Sequence, residues 1–291
     1  MTLKQISVVV ILLSVSVLSA YGQESGNRNY NRPAQRQVFD GSTLTSGGEM
    51  IIPAYVMINV PPDEFVAVFG ASQVASTAGE SNNKVNAQIE QLLNAAERLG
   101  ITRSNTFVDF ITQNRVYNFS APVEGAIRET LSGFETKKNV ALRYKDRAIL
   151  EKLITAAAQA SIFDLIKVDY VVTDLTPVRA RLFEEATKVI KQKEENYTRS
   201  LGLALRRLAL LQETHETYYP SELYQSYSAF ESGNVDNNYQ SNTRVIRERK
   251  SSTSYLEPLD RSRFDSILNG TSIEPMVQCT LYLRVSYSFA R

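Results

Sequence analysis

Residues 64–99 read EFVAVFGASQVASTAGESNNKVNAQIEQLLNAAERL, and the spacing of the apolar positions changes within that stretch. The first part, 64–77, is rich in β-branched and aromatic residues and reads as a strand. From 80 to 99, Val85, Ile89, Leu92, Leu93, Ala96 and Leu99 fall at helical spacing on one face, while Asn83, Lys84, Gln88, Gln91 and Arg98 lie elsewhere. Gly100 supplies the stop. Burying such a stripe, at about 1.5–3 kcal/mol for each large side chain, amounts to on the order of 10 kcal/mol before entropy. The helix therefore needs a sheet to lie on.

Upstream, residues 50–60 form a second β-branched, apolar run that ends at Val60-Pro61-Pro62-Asp63-Glu64. Two prolines remove two backbone donors, so no ladder runs through them. The strand after them is expected to return antiparallel to the one before. Downstream, strand-like composition recurs at 106–119, and 121–134 reads as a connection. Residues 136–144 alternate, with Val140 and Leu142 on one side and Asn139, Ala141 and Arg143 on the other. A second amphipathic helix is predicted at 146–160 from Ile149, Leu150, Leu153, Ile154 and Ala157, followed by a strand at 165–173. Thr176-Pro177 opens a third helix, with threonine as the cap and proline in the first turn. Its stripe is Leu182, Ala186, Val189, Ile190, Tyr197 and Leu201, and Gly202 ends it. A strand is expected at 203–216.

The final stretch alternates most clearly. Val277, Cys279, Leu281, Leu283, Val285, Tyr287 and Phe289 interleave with Gln278, Thr280, Tyr282, Arg284, Ser286 and Ser288, giving one buried and one polar face. Outer-membrane barrels use such strands, but three helices argue against one. The expected fold is α+β, a mostly antiparallel sheet with about three amphipathic helices packed on it.

The remaining segments set the address. Residues 1–22 carry Lys4, an apolar run from Ile6 to Leu18, and Ala20 and Gly22 at the −3 and −1 positions of a cleavage site, the pattern of an export signal. The run is shorter than the ~20 residues a bilayer core requires. Residues 23–48 are polar and read as a flexible arm. The domain is expected at 49–291, with a long insertion at about 220–270 that is rich in Ser, Asn, Tyr and Arg. No other apolar stretch is long enough to cross a bilayer as a helix, so none remains after removal of the signal.

Charge and cysteine narrow the function classes. Without Lys4, 31 basic residues balance 31 acidic ones, which lacks the positive field of a nucleic-acid binder. Cys279 is the one cysteine, so no intrachain disulfide forms, and a small buried hydrophobe is its expected role. Export without disulfides suits a bacterial periplasm or a fold that does not need staples.

Candidate chemistry is sparse. His215 is the one histidine, in Gln212-Glu213-Thr214-His215-Glu216-Thr217-Tyr218, with no GxSxG elbow beside it. Metal binding would have to combine it with Glu213 and Glu216, which is not a known ligand cluster. Asp63-Glu64, Glu184-Glu185 and Glu194-Glu195 pair carboxylates. Neighbours on a helix point about 100° apart, so the last two pairs suit a solvated face, with Glu184–Lys188 and Glu195–Arg199 at i,i+4 spacing. A hydrolase built from distant acids stays open. No GxGxxG or P-loop pattern occurs. No catalytic, cofactor-binding or metal-ligating residue is assigned. Arg244-Val245-Ile246-Arg247-Glu248-Arg249-Lys250 is a short basic run, read as a solvated loop or a contact with anionic headgroups or an acidic patch. The candidate interface residues are Tyr218, Tyr219, Tyr224, Tyr227, Tyr239 and Tyr255, because tyrosine is enriched where proteins meet; packing down on their own domain is the equal alternative. Asn118, Asn196 and Asn269 begin glycosylation sequons, which matter only in a eukaryotic host.

The order of elements resembles the SIMPL-domain family of exported bacterial proteins, which has relatives in animals. The resemblance spans roughly 51–213 and the final strand. It rests on Val60-Pro61-Pro62-Asp63-Glu64, the helix of 82–99 closing in Leu99-Gly100-Ile101, the strand and helix of 139–158, and Arg199-Ser200-Leu201-Gly202-Leu203. The insertion at 220–270 and the lack of a glycine-containing approach to the proline turn depart from the family pattern. The resemblance implies helices on a mostly antiparallel sheet, a periplasmic home, ring-like or channel-like homo-oligomers as in a bacterial relative, and a link to oxidative or envelope stress. It carries over no catalytic residues. A binding module that uses 220–270 to hold an envelope partner or glycan is the alternative.

Overall fold

The computed structural model describes residues 41–120, 128–228, 252–270 and 273–289. The signal read at 1–22, Tyr239 and the basic run at 244–250 lie outside these residues. The unit described here comprises Arg36–Gln225 and Tyr255–Arg291; Ser226–Ser228 and Ser252–Ser254 belong to a second unit.

The structure is mixed, with antiparallel sheets and four helices among the described residues. In chain order the elements are β1 (Thr43–Leu44), β2 (Met50–Val60), β3 (Glu64–Ala75), α1 (Ala78–Arg98), β4 (Thr106–Ser120), β5 (Arg128–Tyr144), α2 (Ile149–Gln159), β6 (Asp164–Val171), α3 (Thr176–Leu201), β7 (Leu205–Tyr218), α4 (Pro220–Leu223), β8 (Tyr224–Ser228), β9 (Ser252–Leu256), β10 (Ser266–Leu268) and β11 (Val277–Phe289). The strands form two main sheets rather than the one expected. The first runs β1-β2-β11-β7, with β10 added parallel to β2; the second runs β4-β5-β3-β6. A third pair, β8-β9, is a ribbon.

The proline turn explains the division. Val60-Pro61-Pro62 does not close a hairpin between β2 and β3, as the sequence suggested; it carries the chain from one sheet to the other. Asp63 fixes the landing: its amide donates to Val171 O (2.8 Å), and its Oδ2 accepts from Thr173 N and Oγ1 (both 2.9 Å). β2 then pairs antiparallel with β11 along its length, Val60 opposite Val277 and Met50 opposite Tyr287.

Each sheet has its own core. α1 and α2 share one with β3 and β5, where Val85, Ile89, Leu92, Leu93, Leu153 and Ala157 meet Phe65, Ala67, Phe69, Val140 and Leu142. α3 packs on the first sheet, with Leu182, Ala186 and Ile190 against Ile52, Ala54, Val56, Leu281 and Leu283. The three striped helices are thus split two and one. The other face of the first sheet is also covered: Tyr55 stacks on Phe264 with ring centroids 4.4 Å apart, and Leu259 N donates to Gln278 Oε1 (2.8 Å). Part of the expected excursion at 220–270 is therefore ordered on the sheet, and β10 extends it. Thr43–Leu44, within the stretch read as a flexible arm, pairs with Ile51 and Met50.

Helix ends differ from the sequence reading in one place. Thr176 is not the cap of α3; the residue before it, Leu175, holds that position, and Asp174 Oδ1 accepts from Thr176 N (2.8 Å). That contact holds the Asp174 carboxyl below its usual range. At α1, Thr77 is the cap and its hydroxyl accepts from Glu80 N (3.2 Å). Gly202 ends α3 in the left-handed region (φ 66°), where glycine is favoured.

Candidate interaction surface

The residues singled out as chemical do not converge. His215 Nε2 lies 2.9 Å from Glu213 Oε1, and both face α3, beside Arg179 and Phe183. Glu216 follows the opposite face and accepts a hydrogen bond from Tyr218 Oη. The His215–Glu213–Glu216 set is thus divided by the sheet, and no group of three or more metal-ligating side chains occurs among the described residues. Lys188 pairs with Glu185 (3.6 Å) rather than Glu184, and Ser266 Oγ donates to Glu185 (2.7 Å). Glu194 receives Arg207 (3.1 Å) and Tyr287 Oη (3.0 Å), which ties α3 to β7 and β11. Glu64, next to the proline turn, faces Arg143 (3.6 Å) and Lys145 (3.9 Å).

The perturbed titrations have structural causes. Burial pushes the Tyr144 and Tyr170 phenols up to about 12 and raises those of Tyr55 and Tyr287. Burial likewise raises the Cys279 thiol, which is buried in the first core as expected, so it stays protonated near neutrality. Lys84 and Ser76 lower the Glu80 carboxyl by hydrogen bonding to it. None of these shifts brings a group toward neutrality, where general acid–base catalysis operates best.

The tyrosines chosen from sequence fall into two groups. Tyr218 and Tyr219 are half-buried, Tyr218 at the end of β7 and Tyr219 against the first core. Tyr224, Tyr227 and Tyr255 are exposed on β8 and β9.

The most distinctive surface was not picked out in the sequence. Along β3 the residues Phe65, Ala67, Phe69 and Ala71 turn toward α1 and α2, so Val66, Val68 and Gly70 turn the other way. No described element is packed over that second face. Val68 sits between Ala141 on β5 and Lys167 on β6, and Ala141 stands opposite Phe107 on β4. A register shift between Val68 and Phe69 leaves Ile166 over Gly70: a Cβ on that glycine would lie 3.3 Å from Ile166 Cδ1. Phe107 is 65% exposed and Ile166 53%. The signal was available, since 106–119 places apolar residues at Phe107, Val108, Phe110 and Ile111, too many for one buried face of a strand.

Charge pairs surround the apolar centre: Lys167–Asp169 (2.8 Å), Lys137–Glu135 (3.2 Å) and Arg143–Glu64 (3.6 Å). β4 forms one edge of the sheet. Beyond the end of β3, β4 and β5 continue as a two-stranded ribbon that carries exposed Tyr117, Phe119 and Leu131. No helix among the described residues is long and apolar enough to cross a membrane.

Compared with known proteins, residues 52–252 match the model of the SIMPL family, described as "Protein of unknown function (DUF541)". No curated protein matches the sequence.

Proposed function

From the premise that this chain belongs to the SIMPL family, we propose that it is an exported, non-catalytic protein that works by self-association in the periplasm. Its surfaces, rather than a reactive pocket, carry the activity. The observation that supports this most is the open face of the second sheet, where Phe107, Ile166 and their half-buried neighbours form a contiguous apolar patch. A role in envelope maintenance or tolerance of oxidative stress follows from the address and the family resemblance.

The test is fractionation and crosslinking in cells that express the full-length chain. The expected result is recovery in the periplasmic fraction, a mature N-terminus near residue 23, and crosslinked species at multiples of one chain. Retention in the cytoplasm with an intact N-terminus, or recovery of uncrosslinked single chains alone, contradicts the reading.

A second reading draws on the exposure of Tyr224 and Tyr255, each 41%. In it the 220–270 segment holds an envelope protein or glycan. Deletion of 229–251 is then expected to abolish partner capture while the far-UV circular dichroism of the rest is kept; capture that survives deletion contradicts it.

A further inference from the structure

We propose that the cavity on the side of the first sheet away from α3 binds a small, neutral aliphatic molecule that ends in a carbonyl group. The inference does not depend on self-association and uses a different surface.

Alternation along β2 builds the floor. Val56 and Ile58 face α3, so Met57 and Asn59 face the other way, and Asn59 stands opposite Gln278 on β11. Over them the chain encloses a cavity of about 260 Å³, walled by Met57, Leu223, Leu256, Pro258, Leu259 and Met276. Hydrogen bonds hold the frame. Glu257 N donates to Leu223 O (2.9 Å), and Asn269 Nδ2 donates to Asn59 O (2.9 Å). A pre-formed concave site with apolar walls and a few placed polar groups is the usual form of a small-molecule pocket.

Two buried amides define the polar end. Gln278 Oε1 accepts from Leu259 N (2.8 Å), Gln278 Nε2 donates to Asn59 Oδ1 (2.9 Å), and Asn59 Nδ2 donates to Gly270 O. Each amide nitrogen carries two N–H groups and spends one in these contacts. The second N–H of each has no partner among the described residues, although Asn59 is only 5% exposed and Gln278 6%. A buried donor without an acceptor is costly, and a carbonyl oxygen brings two lone pairs.

Charge and room narrow the class. Arg261 and Glu274 both line the cavity, and Arg147 lies 3.3 Å from Glu274. A carboxylate would meet Glu274, and an ammonium would meet Arg261 and two N–H donors; neutral amides do not offset the desolvation of either ion. At about 30 Å³ for each molecule of liquid water, the space suits a chain of about nine non-hydrogen atoms. The two thioethers in the wall adapt to a flexible chain.

Full-length protein carrying ¹³C at the methionine methyls tests this by NMR. Met57 and Met276 line the cavity, whereas Met50 belongs to the core under α3 and is the internal control. Titration with 2-octanone is expected to shift the Met57 and Met276 signals with half-saturation below about 1 mM and to leave Met50 in place. Octanoate and octylammonium are expected to bind at least tenfold more weakly. Leu256→Trp fills the cavity and is expected to raise half-saturation at least tenfold, and Leu256→Phe to raise it by less. An unmoved Met50 signal shows that the fold persists, and if Leu256→Trp does not fold, Leu256→Phe decides.

No shift at Met57 and Met276 means that the cavity takes water alone, which overturns the proposal. Equal shifts at all three methyls mean unspecific partitioning, and unchanged affinity in the Leu256 variants puts the ligand elsewhere; either overturns it. Octanoate binding more tightly than 2-octanone makes Arg261 the recognition group for an anion, which overturns the neutral class.

Discussion

Tyr144 shows what a single side chain adds and costs. Its ring stacks on Phe65 with centroids 5.5 Å apart, but its buried hydroxyl has no hydrogen-bond partner among the described residues. An unpartnered buried hydroxyl costs about 1–3 kcal/mol. Tyr144→Phe is therefore expected to raise stability by about 1 kcal/mol in urea unfolding. The same group sets an alkaline limit. A phenol with a raised folded pKa contributes stability that is full below its unfolded value near 10 and is lost as pH rises toward about 12. Stability is expected to fall across that window, and less steeply in Tyr144→Phe, as measured by unfolding at pH 9, 10 and 11. Gly133 makes the opposite kind of prediction. A Cβ there would lie 2.5 Å from Ala75 O, a backbone atom that moves only if β3 moves. Gly133→Ala is expected to cost about 1–3 kcal/mol by the same unfolding measurement. At this scale the sequence was readable where a residue type has one use, as with Gly202, and unreadable where geometry decides, as with Asp174 accepting from Thr176 N ahead of α3.

At the scale of elements, α1 is the best-specified part of the chain. Its stripe was legible because six apolar residues keep one period, and five of them are buried, with Leu92 fully so. Leu92→Ala is expected to cost about 2–5 kcal/mol, and Thr77→Ala about 1 kcal/mol through loss of the cap, both by chemical unfolding. A larger loss at the cap than in the core would mean that α1 is held by its end rather than by its face. β11 was equally legible, since alternation persists along its length and its inward residues from Val277 to Tyr287 are buried, with Phe289 at its end exposed. β4 was legible as a strand but not as an exposed one. Alternation shows that a strand has two faces; it does not show whether a second layer covers each. Phe107 and Ile166 have the composition of core residues, and only the placement of α1 and α2 on the opposite face leaves them outside.

For the whole molecule, the decisive feature is the division into two sheets. Periodicity marked the strands but contained no information on which strand joins which sheet, so the proline turn was read as a hairpin when it is a crossing. Once the sheets are separate, the accounting of faces is simple. The first sheet has α3 on one side and the segment through Leu259 and Phe264 on the other. The second has α1 and α2 on one side and no described element on the other. An antiparallel sheet tolerates one wet face when that face is polar; this one carries an apolar centre. The molar mass of the full-length protein, measured by light scattering from low to tens of micromolar, addresses this most directly. The predicted result is a rise with concentration to at least twice the mass of one chain, and a constant mass at or below 32.6 kDa throughout would contradict it.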